Sequence, residues 1–358
     1  MTTRSRRHTA AAGVLFVAIV LAGFIVLPAN GDGVRAPAEA AVSPQPTTGS
    51  WSARVVDRMD RNNTTWIHIN LVTRSESGKR RNHGQSIDSR DLEGLSLDDV
   101  RSGGSTDVAF RLLREAGRFD FTGTFRRSDG GGTFEFEPSS EYVEEMARLG
   151  YRSISEDELF SLAMIDVTTG YVRELHTLGY NDLPLDDLFA LSVHDVSPER
   201  IREYGVLGHD DLTVDELVSL SIHDVDPALV REYREIGYSG MSADQLISMS
   251  IHDVDPDFIR ALDEAGYRDI ATEELVSMSI HDVEPGFIRG LASRGYTDLE
   301  VDELVSMMIH DVSLEMIDEL KEAGFTNVPV SKLIELQIHG LSPSDIRAMT
   351  RATRPSDN

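Results

Sequence analysis

Six histidines recur at one spacing: His194, His223, His252, His281, His310 and His339 stand 29 residues apart. The first five are each followed by an aspartate: Asp195, Asp224, Asp253, Asp282 and Asp311. An imidazole beside a carboxylate can ligate zinc, move a proton or close a helix end. One unit earlier the pair reads Ile165-Asp166, and the last unit reads His339-Gly340.

Metal chemistry fits the spacing poorly. Ligands of one zinc lie about 2.0–2.1 Å from the ion, so their donor atoms come within ~4 Å of each other. Equivalent residues of stacked helical repeats stand about 9–10 Å apart. A single column therefore does not converge on one ion. No histidine is followed by glutamate, which excludes a His-Glu-x-x-His helix. Nucleophilic catalysis needs unlike groups assembled once, whereas this pair is copied. The chain holds no Gly-x-Ser-x-Gly elbow and no phosphate-cradling glycine loop.

A structural turn accounts for the column better. Aspartate and glycine tolerate positive φ, so the position predicts a left-handed residue closing a helix. The histidine before it would lie among unpaired carbonyls, where a ring N–H can donate and a cation is favoured by the helix dipole. The His and Asp columns remain a candidate interaction surface. No catalytic residue, metal ligand or cofactor is assigned.

The elements that carry this column form an array. Gly150, Gly179, Gly208, Gly237, Gly266, Gly295 and Gly324 are 29 residues apart without insertion or deletion. A leucine column (Leu159 to Leu333) and a Val/Ile column (Val172 to Ile346) keep the same period. A fixed period of 20–50 residues predicts a solenoid in which each unit buries its face against its neighbours. In the unit Gly208–Ile236, Thr213 and Glu216 form a capping-box pattern before a short helix through Leu217, Leu220 and Ile222. Asp226 caps a second helix with Pro227 at its first position, and Gly237 ends it. Helices of about ten residues do not persist alone, so packing between units must stabilise them. Seven such units predict a rod or arc of roughly 65 Å.

An arginine column (Arg173, Arg202, Arg231, Arg260, Arg289, Arg347, broken by Asp318) is expected to pair with neighbouring carboxylates. Acidic pairs such as Asp186-Asp187, Asp215-Glu216, Glu273-Glu274 and Asp302-Glu303 open the first helices, where the dipole favours them.

Upstream the period is two. "WSARVVD", "TWIHINLVT" and "DVAFRLL" alternate apolar and polar residues, and "GRFDFTGTFRRSDGGGTFEFEP" reads as a hairpin turning at Asp129-Gly130-Gly131-Gly132. Five to seven strands over residues 51–140 predict a small antiparallel sandwich or barrel. Lys79, Arg80 and Arg81 are expected at a solvated loop tip.

Charge is placed unevenly. Residues 1–150 hold 19 Lys+Arg and 19 Asp+Glu; residues 151–358 hold 15 and 42, so they carry the whole net charge of −27. Such a surface repels phosphate backbones and anionic lipid, and favours basic proteins, peptides or hard cations. With no cysteine there is no disulfide and no thiol chemistry. Arg4, Arg6 and Arg7 precede an uncharged stretch from Thr9 to Asn30, near the ~20 residues that span a bilayer. Residues 1–30 are expected to be an uncleaved anchor with the rest outside the cytoplasm, cleavage and secretion being the alternative. Residues 31–50 are expected to be a linker, 141–350 the repeats and 351–358 a disordered tail.

The unit "IHDVDPDFIRALDEAGYRDIATEELVSMS" resembles a repeat of uncharacterised bacterial envelope proteins and of the extension of BlaR1-like membrane metallopeptidase regulators, whose pattern runs Ile-His-Gly-Val-Thr-Pro. "FDFTGTFRRSDGGGTFEFEP" is similar to the β segment that precedes those repeats. The resemblance covers residues 51–350 and implies architecture. The peptidase domain and its zinc motif are absent from this sequence, so no protease activity carries over, and most units have Asp where the pattern has Gly.

The combined expectation is an α+β chain with an N-terminal transmembrane helix, a small β domain and an α-solenoid of two-helix repeats. It would bind a protein or peptide of basic character, touch membrane only through its N-terminal helix and bind no nucleic acid. A divalent-cation-responsive module and a hydrolase with its site in the β domain are the alternatives.

Overall fold

The structure, a computed structural model, describes residues 45–56, 64–74, 80–101, 103–342 and 345. The expected anchor at 1–30, the tail 351–358, Lys79, Ile346 and Arg347 lie outside the described residues. Among the described residues no helix is long and apolar enough to cross a membrane.

The alternating segments form strands. In order they are β1 (Thr47–Val56), β2 (Trp66–Arg74), β3 (Arg80–Asp88), β4 (Leu92–Glu93), a short helix α1 (Leu97–Arg101), β5 (Ser105–Arg114), β6 (Gly117–Arg126) and β7 (Asp129–Pro138). They make one antiparallel sheet, ordered β3-β2-β1-β7-β6-β5-β4. Period-two alternation sends Ile67, Ile69 and Leu71 of β2 to a buried face, together with Phe119, Phe121 and Phe125 of β6. Three strand spacings, about 14 Å on a flat sheet, separate β1 from β5. Yet the rings of Trp51 (β1) and Phe110 (β5) lie 5.4 Å apart. The sheet therefore rolls around its aromatic face, and the expected sandwich or barrel takes the form of a single curled sheet.

Three local expectations are corrected. The β6–β7 turn falls on Arg127 and Ser128, whose φ values of 51° and 70° suit a two-residue hairpin with both central residues left-handed. The glycines lie inside β7 because neighbours approach closely: a Cβ on Gly132 would sit 2.0 Å from the Thr122 carbonyl oxygen. Thr47–Ser50, expected in the linker, belong to β1 and pair with β7. Arg80 and Arg81 lie in β3 and not at a loop tip. That strand, "RRNHGQSID", has no apolar alternation and is recognisable only through its ladder with β2.

Among the described residues fourteen helices follow: α2 (Ser140–Arg148), α3 (Glu156–Met164), α4 (Thr169–Thr177), α5 (Leu185–Val193), α6 (Pro198–Val206), α7 (Val214–Ile222), α8 (Pro227–Glu235), α9 (Ala243–Ile251), α10 (Pro256–Glu264), α11 (Thr272–Ile280), α12 (Pro285–Ala292), α13 (Val301–Ile309), α14 (Leu314–Glu322) and α15 (Val330–Ile338). Odd-numbered helices contact one another in series from α5 to α15; even-numbered ones do so from α2 to α8 and from α10 to α14. The units thus stack in two layers, as a solenoid-like repeat requires.

The starts are capped as their sequences dictate. Thr213 Oγ1 accepts from the Glu216 N–H at 3.2 Å, and Glu216 accepts in return from the Thr213 N–H at 2.8 Å. Asp226 and Asp255 accept from Leu229 and Phe258 N–H at the starts of α8 and α10.

Tyrosines tie units together. Tyr142 and Tyr171 donate to the carbonyls of Val167 and Val196, and Tyr204 and Tyr233 to those of Val225 and Val254. All four phenols are held above their usual pKa, chiefly by burial.

The sheet and the array share a core. Phe160 of α3 packs its ring against Phe119, Phe136 and Phe134 at 5.4, 5.3 and 5.9 Å. Arg81 of β3 pairs with Asp157 of the same helix.

Candidate functional site: the repeated turn and its exposed edge

The His-Asp column sits where one helix ends and the next begins. His223 is the last half-helical residue of α7, with φ −97° and ψ 19°. Asp224 follows at φ 54°. Its N–H donates to the Ser221 carbonyl at 3.3 Å, and the Val225 N–H reaches back to Leu220 at 2.9 Å. This pair of bonds closes the helix with one left-handed residue, and Val225 is fully buried beneath it. Asp195, Asp253, Asp282 and Asp311 have φ between 52° and 55°, Asp166 has 59° and Gly340 has 62°. The expected left-handed turn is therefore present in all seven units.

The histidines contribute through their backbone. Ser221 Oγ donates to the His194 carbonyl at 2.6 Å, Ser250 Oγ to His223 at 2.6 Å and Ser279 Oγ to His252 at 2.5 Å. Ser192 makes the matching bond to Ile165 at 3.3 Å, so the bond does not depend on an imidazole. Among the described residues no ring nitrogen of the column makes a hydrogen bond. The predicted ring-to-carbonyl cap does not form, because the αL turn already satisfies the last carbonyls through backbone N–H groups. As whole residues, His194 to His310 are half-buried and His339 is exposed. Among the described residues no group of three or more His, Asp or Glu converges as metal ligands would.

Beside this column runs a feature the sequence reading missed. Val193, Ile222, Ile251, Ile280, Ile309 and Ile338, each immediately before a column histidine, are 44–59% exposed. Ile222 is the last residue of the helix that runs through Leu217 and Leu220. At about 100° per residue it points about 140° away from Leu217, which was the available signal. Six branched apolar side chains thus line one edge of the array.

The edge is acidic. Asp195, Asp224, Asp253, Asp282 and Asp311 are exposed, and among the described residues none makes an ion pair. Elsewhere successive units add their fields: Asp187 is held above the usual carboxylate range by burial first, then by Asp215 of the next unit and Asp186.

The turn next to the sheet differs. Asp166 faces Arg114 at the β5–β6 turn, 3.4 Å away. The adjacent Glu115 accepts from the Thr169 N–H at 2.9 Å and from its hydroxyl at 2.5 Å, holding the start of α4. Met164, in the position of the exposed isoleucines, is 4% exposed.

The arginine column divides. Arg173 and Arg202 reach carboxylates of the preceding unit, Glu145 and Glu174, as expected. Arg260 instead pairs within its own helix with Asp257, and Asp318 takes Arg294. An open groove of about 690 Å³ lies here, lined by Glu174, Glu199, Arg202, Glu203, Val206 and Arg231.

Comparison of the chain with protein-family models, with curated proteins and with solved structures returns no match.

Proposed function

We propose that this chain is a non-catalytic interaction protein whose acidic α-solenoid holds a protein or peptide of basic character. The observation that carries this reading is the row of exposed Val193, Ile222, Ile251, Ile280, Ile309 and Ile338 beside five carboxylates that make no ion pair among the described residues. The same position is apolar and exposed in six successive units, and apolar side chains repeated along one edge suit a contact surface. The uncharged stretch Thr9–Asn30 after three arginines supports anchoring in a membrane with the array outside the cytoplasm. The repeat resemblance to bacterial envelope proteins supports the same setting.

The test is capture by the full chain, immobilised, of basic and acidic proteins from bacterial envelope extract at low and high salt. Basic proteins retained at low salt and released at high salt are the expected result. Retention that ignores charge, or no retention at all, sinks the reading.

A further inference from the structure

One end of the apolar edge is covered by the protein's own sheet, and that end shows the chemistry that suits the remainder. In the unit against the sheet the edge residue Met164 is buried, and the left-handed Asp166 is met by the Arg114 guanidinium. In the six units that follow, the same edge position is 44–59% exposed, and the five aspartates among them have no ion pair with a described residue. The covered turn and the free turns share one backbone geometry, with φ of 59° at Asp166 and 52–55° at the others. The turn beside the sheet is therefore met by a basic side chain, Arg114, which also reaches Asp91 at 3.4 Å, and lies next to a buried Met164. Among the described residues the six turns that follow have neither feature.

The period selects the shape of what binds. Successive units are about 9–10 Å apart, the distance between packed helices. A polyproline II chain advances ~3.1 Å per residue with three residues per turn, so every third side chain lies on one face about 9.3 Å from the last. A β-strand covers a similar distance in three residues but turns alternate side chains to opposite faces. Only the threefold chain presents an equivalent side chain to every unit.

We propose that the edge from Val193 to Ile338 binds an extended polyproline II segment of a partner protein. That segment carries an apolar residue at every third position, packed between successive isoleucines. It carries Lys or Arg beside each apolar residue, meeting Asp195, Asp224, Asp253, Asp282 and Asp311 as Arg114 meets Asp166. This inference rests on the acidic-array reading above and adds the surface, the conformation and the period. Six turns correspond to about eighteen residues of such a segment.

The probe is a labelled synthetic peptide of six Val-Pro-Lys triplets, titrated into the full chain. Two peptides of equal charge serve as controls: six Gly-Pro-Lys triplets, and six Val-Pro-Lys-Gly quartets that break the period. The triplet peptide should bind at least about tenfold more tightly than either control. The triple variant Ile222→Ser/Ile251→Ser/Ile280→Ser changes only exposed side chains, and its melting curve checks that it folds. It should erase that preference while leaving the weak, salt-sensitive binding of the glycine control. The variant Asp224→Asn/Asp253→Asn/Asp282→Asn keeps residues that tolerate the left-handed turn and should weaken all three peptides. Equal affinity for the three peptides, or an unchanged preference in the isoleucine variant, overturns the proposed edge while leaving the acidic array as a binder. Absence of binding by any peptide at low salt overturns it too, and the extract capture then decides the broader reading separately.

Discussion

The Ser250 hydroxyl donates a 2.6 Å hydrogen bond to the main-chain carbonyl of His223, 27 residues earlier in the chain. The same bond links Ser221 to His194 and Ser279 to His252, so the ends of α7, α9 and α11 are each fastened to the turn of the unit before. The bond fixes the turn through its backbone and leaves the side chain at the column position unspecified, as Ile165 shows. It also separates two roles. The serine and aspartate hold the turn, while the isoleucine and the outward carboxylate face solvent.

Ser250→Ala leaves a part-buried carbonyl without its donor and is expected to cost about 1 kcal/mol. His223→Ala, which removes a ring without hydrogen-bond partners among the described residues, should change stability by less than half of that. Urea unfolding of both variants measures the difference. Equal losses would show that the imidazole, not the hydroxyl, secures the turn.

Asp224→Gly should be neutral or slightly stabilising, because glycine adopts φ near +54° without steric cost. Asp224→Val should lose roughly 1–2 kcal/mol, since a branched side chain resists the left-handed region. The contrast is read from the two denaturation midpoints. A valine variant as stable as the glycine one would contradict the turn geometry.

Tyr233 and Tyr151 carry the same group with opposite satisfaction. Tyr233 donates to the Val254 carbonyl at 2.6 Å, whereas the Tyr151 hydroxyl is buried without a partner among the described residues. Tyr233→Phe is expected to destabilise by about 1 kcal/mol, and Tyr151→Phe to be neutral or stabilising. Burial pushes both phenols up to about 12, against an ordinary value near 10. The folded state therefore holds its phenolic protons longer than the unfolded chain. Their contribution is complete below about pH 10 and is lost as pH rises through about 12. Ultraviolet titration of the folded protein should show delayed ionisation. Ordinary titration of these tyrosines would place them at the surface.

His83 packs its ring 4.9 Å from that of Phe160, where the sheet meets the first repeat. Burial, then the Arg81 charge, lowers its pKa, with Asp157 opposing. The folded state thus favours the neutral ring. Its contribution is present above the ordinary value near 6.5 and is lost as pH falls below it. Melting temperature should decline on acidification through that range, and His83→Gln should flatten this component. A wild-type protein indifferent to pH there would remove His83 from the joint.

Much of this molecule is legible from the one-dimensional pattern, and the reason is local. A 29-residue period, capping residues such as Thr213 with Glu216, prolines at the first helical position and Asp or Gly at a fixed offset each act within a few residues of themselves. Their physics needs no distant partner, so helix boundaries and the left-handed turn follow from the string of residues. The alternation of "TWIHINLVT" is of the same kind.

The tertiary structure decided what depends on partners far along the chain. β3 has no alternation of its own and exists through its ladder with β2. The glycines of β7 serve the close approach of β6 and not a turn. Whether Ile222 is core or surface depends on where the next helix packs, and whether Asp166 is free depends on Arg114, 52 residues away in the sheet. Local sequence sets dihedral angles and helix faces, but burial and charge pairing are properties of contacts between segments. Hence the column is readable from its spacing, while the edge beside it has only a helical angle in the sequence and its exposure is decided by how the units stack.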